Sequence, residues 1–246
     1  MFLASPSATG EIGGAGHADL AVGAPDESLP LLAQGVAKAY CQASLGVLPE
    51  APGGQFAALE RFEDGLARLR GQCAISGRSR QLAALEAAWV SFRTAASSPP
   101  SRPGCALLAV RAGEITRMSV AFAPGAGSRG EDAWLAGAAD RQAELAQKLA
   151  VLYLARASGV KSASLRDEMV RASEEFSGRL TALQLAGENT PEVTRRLGAI
   201  ALQWEWFRSA LNQEHESAAF PSVVAEASDA IVKGMKAVRS EYRALP

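Results

Sequence analysis

Leu145, Leu149, Leu152 and Tyr153 fall at i, i+4, i+7 and i+8, an apolar stripe with the period of an α-helix. The stripe predicts a long helix from about Asp132 to Ala157, stopped by Ser158-Gly159. Ser164 with Asp167 reads as a capping-box variant that opens a second helix. That helix turns Met169, Phe176, Leu180 and Leu183 inward and ends at Gly187. Thr190-Pro191 supplies a cap followed by proline at the first helical position, so a third helix runs from there to about Gln213. Pro221 opens a fourth, which reaches Arg243. In the first half of the chain the same reading gives helices over 27–45, 53–74, 78–96 and 105–122, with the loop SSPPSRPG, Ser97 to Gly104, between the last two.

The two halves echo one another. LAQGVAKAY, Leu32 to Tyr40, returns as LAQKLAVLY, Leu145 to Tyr153, 113 residues later. Phe62, Leu66 and Leu69 align with Phe176, Leu180 and Leu183 at 114. Trp89, Phe92 and Arg93 align with Trp204, Phe207 and Arg208 at 115, and Ile115 and Met118 with Val232 and Met235 at 117. Landmarks that recur in order at a slowly growing offset mark an internal duplication with small loop insertions. Short connections between amphipathic helices predict an all-α fold of two tandem up-down four-helix bundles. Their expected bounds are 26–123 and 132–246, joined by a glycine-rich linker over 124–131 and preceded by a leader over 1–25.

Composition agrees with the helical reading: alanine, leucine, glutamate, arginine and glutamine dominate, while aromatic residues make up 6%. A formal charge of −1 with interspersed signs offers no basic footprint for nucleic acid. No apolar run approaches the roughly 20 residues of a membrane span. Gly16-His17-Ala18 before Asp19 has the small residues of a signal-peptidase site but lacks a basic region and a full apolar stretch ahead of it. A periplasmic location is expected from it, with a cytoplasmic one as the alternative.

The candidate chemistry is sparse. His17 and His215 are the only histidines, so neither a metal centre nor a histidine-based triad is expected. GEIGGAG, Gly10 to Gly16, lacks the strand and helix a phosphate loop needs. The glutamates at 174, 175, 205 and 214 form no fixed pair for acid–base work. No enzyme activity and no cofactor are expected. Trp89, Trp204, Phe62 and Phe176 read as bundle core, and Trp206 as a surface residue or a contact between copies. In an up-down bundle the end of the first helix and the start of the fourth share one end, so Cys41 can approach Cys105 while Cys73 sits at the other; three buried thiols are the alternative.

Arg141-Gln142, Leu145, Gln147, Lys148, Ala150 and Tyr153, then Phe176, Leu180 and Leu183, then Asn189-Thr190, then Trp204 and Phe207 together resemble one known pattern. It is that of the N-terminal sensor module of type IV pilus methyl-accepting chemotaxis transducers and nitrate/nitrite sensor kinases. The first copy matches more thinly, through Leu32, Gln34, Ala37, Tyr40, Phe62, Leu66, Leu69, Trp89 and Phe92. The resemblance implies an extracytoplasmic helical sensing domain, with an anion held by first-helix arginines at a two-fold interface. This chain departs from it at the second arginine, where Ala143 stands, and at the basic positions of the first copy, occupied by Ser28, Pro30 and Gly35.

Two copies in one chain can pair first helix to first helix as a pseudo-dimer; a homodimer is the alternative. The candidate ligand residues at that interface are Arg141, Gln142, Gln147 and Lys148 from the second copy and Gln34 and Lys38 from the first. Arg141 and Lys148, seven residues apart on one face, can equally be a solvated stripe. The expected function is a non-catalytic sensor-like module that binds a small ligand, an anion among the options, or a partner protein through which it signals. Whatever ligand function it has is expected mainly in the second copy; the alternative is an interaction or scaffold protein with degenerate ligand sites, whose helices serve dimerisation or docking.

Overall fold

The computed structural model of the protein describes residues 28–47, 54–76, 78–122, 131–212 and 220–244. The leader with His17, the linker over 124–130 and His215 lie outside the described residues, as does the side chain of Cys73. Eight α-helices are described: α1 (Leu29–Ser44), α2 (Gly54–Ser76), α3 (Ser79–Ala96), α4 (Arg102–Ser119), α5 (Glu131–Ala157), α6 (Ala163–Gln184), α7 (Pro191–Asn212) and α8 (Phe220–Arg243). A 3-10 turn, Val120–Phe122, extends α4, and no strand occurs among the described residues.

Local chemistry explains most of the boundaries. Ser28 caps α1 through its hydroxyl, which accepts from the Leu31 amide at 3.3 Å, with Pro30 in the first turn. Thr190 does the same for α7, accepting from the Val193 amide at 3.2 Å. Gly159, at φ 98°, ends α5 in the left-handed conformation that glycine adopts without strain, and the Val160 amide reaches back to the Ala155 carbonyl. At α6 the N-cap position is Ser162 and not the expected Ser164, which lies in the first turn; the Ser162 hydroxyl makes no bond to a helix amide and pairs instead with the Ser164 hydroxyl at 2.6 Å. The same helix stops at Gln184, short of Gly187, where the Asn189 amide nitrogen reaches the Leu183 carbonyl at 2.7 Å.

The helices form two quartets. In the first, α1 packs on α2 and α4, and α3 on α2 and α4; in the second, α5 packs on α6 and α8, and α7 on α6 and α8. The quartets meet along α1 and α5, with α4 also touching α5 and α1 touching α8. Each quartet has the same aromatic centre. Phe62 stacks on Trp89 at 3.7 Å between ring centroids and Trp89 lies 5.5 Å from Phe92. Phe176 and Trp204 are 4.1 Å apart, with Phe207 at 5.9 Å.

Burial recurs along both halves as well. Leu82, Leu85, Trp89, Phe92 and Ala96 of α3 are buried, and so are Leu197, Ile200, Trp204, Phe207 and Leu211 of α7, each 115 residues on. Along the fourth helices burial recurs at an offset of 116, beside the 117 expected from the sequence. Cys105, Leu108, Ala112, Ile115 and Ser119 of α4 are buried at the positions of Pro221, Val224, Ser228, Ile231 and Met235 in α8. Met118 is exposed, whereas Ser119 and Met235 are buried.

Cys41 at the end of α1 and Cys105 at the start of α4 form a disulfide, buried on both sides. Beside it the Tyr40 hydroxyl donates to the Pro99 carbonyl at 2.8 Å, holding down the loop that follows α3. The hydroxyl passes so close to Gly104 that an added Cβ would lie 2.2 Å from its oxygen, which leaves only glycine at this position.

The disulfide spans 64 residues of chain. Replacing Cys105 by serine, or reducing the bond, is expected to remove about 4 kcal/mol of stability by the loop-entropy relation. Urea unfolding with and without reductant measures it; an unchanged midpoint would show that the bond does not contribute.

Candidate functional site

The first helices carry most of the buried polar groups. Gln34, Lys38 and Gln42 on α1 and Gln142 and Gln147 on α5 are all buried. Their register brings only some of the predicted ligand residues together. Arg141 makes a paired contact with Glu175 of α6, Nε to Oε1 at 2.8 Å and Nη2 to Oε2 at 2.9 Å, and a third with Glu144 at 3.3 Å. Hydrogen bonding from Arg141 holds the Glu175 carboxyl below the usual carboxylate range, against the opposing effect of burial and with help from Arg179. Lys148 pairs with Glu168 at 2.8 Å. Gln142 donates to the Phe176 carbonyl at 3.0 Å. These three residues of the second quartet thus serve the α5–α6 seam.

Lys38 and Gln147 converge from opposite quartets. The Lys38 ammonium forms an ion pair with Asp229 Oδ1 on α8, and Gln147 Nε2 donates to the same oxygen at 3.0 Å. Gln34 lies deeper and donates to the Thr116 hydroxyl of α4 at 3.3 Å. The side-chain carbonyl oxygens of Gln34, Gln142 and Gln147 are buried without a hydrogen-bond partner among the described residues. Such an orphan acceptor costs about 1–3 kcal/mol.

A cleft of about 180 Å³ opens at the Lys38–Asp229 pair. Its floor is apolar, from Leu31 and Leu32 of α1, Ala58 of α2 and Val232 of α8, and its polar lining consists of Lys38, Arg61, Gln147, Asp229 and Lys236. Gly35 forms part of the wall, and a Cβ added there meets nothing within 4 Å. The position 113 residues on carries Lys148, whose side chain occupies the corresponding face of α5 and reaches Glu168. The cleft thus has a glycine in its wall, and it draws more of its lining from α1 and α2 than from α5.

Sequence reading did not find Asp229, Arg61 or Lys236. They sit on α8 and α2 among ordinary surface charges, and only the packing of four helices assembles them. No group of residues among those described is arranged to hold a metal ion, and no described helix is long and apolar enough to cross a membrane.

Further along the α5–α8 seam, Asp140 pairs with the buried Arg239 at 3.1 Å. Tyr242 donates to Asn189 at 2.6 Å, and burial pushes its hydroxyl up to about 12. On the outer face of α7, Trp206 and Leu202 are exposed, 79% and 70% respectively, one turn apart. Ser28 joins the quartets at the other end of α1, donating to Glu144 at 2.6 Å. No family pattern, curated protein or solved structure matches the chain.

Burial pushes the Asp140 carboxyl up to about 6 from 3.8, more than the neighbouring Arg239 charge lowers it. The folded state then holds this proton more tightly than the unfolded chain, so this carboxyl's contribution to stability is fully present below 3.8 and is lost as pH rises through about 6. The loss amounts to about 3 kcal/mol at 1.36 kcal/mol per pH unit. Asp140→Asn is expected to flatten the fall in unfolding free energy between pH 4 and 7, followed by urea titration at each pH. A slope as steep as that of the unaltered protein would assign the effect elsewhere.

Proposed function

We propose that the chain is a non-catalytic sensing module in which two copies of a four-helix unit, related by duplication, pair as an intramolecular pseudo-dimer. It binds a small anion in the cleft between α1, α2 and α8 and passes the signal to a partner protein. One observation carries the reading: the wall of the cleft is also the bond between the quartets. Lys38 belongs to the first quartet and Asp229 to the second, and an anion entering beside them competes for the Lys38 ammonium. Ligand occupancy and the contact between the copies are thereby coupled, since a ligand shifts an equilibrium by its difference in affinity for two arrangements.

The recurrence of the Phe–Trp–Phe centre and of the burial pattern supports the duplication. The buried Cys41–Cys105 disulfide supports an oxidising, extracytoplasmic compartment. The likeness to the pilus-transducer and nitrate-sensor modules enters this reading through its architecture, first helix against first helix. Its arginine chemistry does not carry over, because Arg141 is engaged by two glutamates of its own quartet.

A second reading, a scaffold that docks a protein, draws on Trp206 and Leu202, a large exposed apolar pair on one helix face. A melting-temperature screen with nitrate, acetate and succinate separates the two. At least one anion is expected to raise the melting temperature, since a ligand of the folded state alone stabilises it. Lys38→Met is expected to abolish that rise. If none of the three shifts the unaltered protein, the anion-binding reading falls.

A further inference from the structure

We draw no further inference here: the strongest candidate, the exposed apolar face that Leu202 and Trp206 form on the outer side of α7, carries nothing because nothing in the structure shows what covers it.

Discussion

α1 and α5 run through the middle of the molecule, each enclosed by helices of its own quartet and by the other, and this enclosure constrains everything around them. Eleven of the 16 residues of α1 are buried, so it has no broad solvent face on which to carry charge. A helix in such a place must be apolar nearly all round, and each polar group on it needs an answer inside the protein. Lys38 is answered by Asp229, Gln147 by the same carboxylate, Gln34 by Thr116 and Gln142 by a backbone carbonyl. The partners all lie on other helices. Polar bonding on the first helices therefore ties α1 and α5 to α4, α6 and α8.

The helices themselves were legible because their signals are local. Apolar spacing, Thr190-Pro191 and Ser158-Gly159 act within a few residues, and the observed bounds fall close to those the spacing predicts. Misreadings arose where two local signals compete. Ser162 and Ser164 are both residues that favour a cap, and the helix begins after Ser162 with neither hydroxyl bonded to a helix amide as a cap. Ile231 and Val232 are both apolar and both buried, so apolar spacing alone gives no single register of α8 against α4.

The candidate site was legible in a different proportion. Lys38 and Gln147 stand out as polar residues on apolar helices, and both line the cleft. Arg141 and Lys148 stand out for the same reason and do not, because glutamates on α6 claim them first. Nothing in the sequence near Arg141 announces Glu175, 34 residues away. Gly35 is the converse case. As a residue it says only that the helix is weakened there, and its meaning comes from the empty volume beside it, which is a property of four helices together.

The disulfide has a mechanical consequence beyond stability. It fastens the last turn of α1 to the first turn of α4, while Ser28 at the opposite end of α1 is held by Glu144 of the second quartet. A covalently tethered α1 cannot slide along its own axis as a lone piston within the first quartet. The two ends of α1 are thus held in different ways, one by a covalent bond within its own quartet and the other by a hydrogen bond to the second.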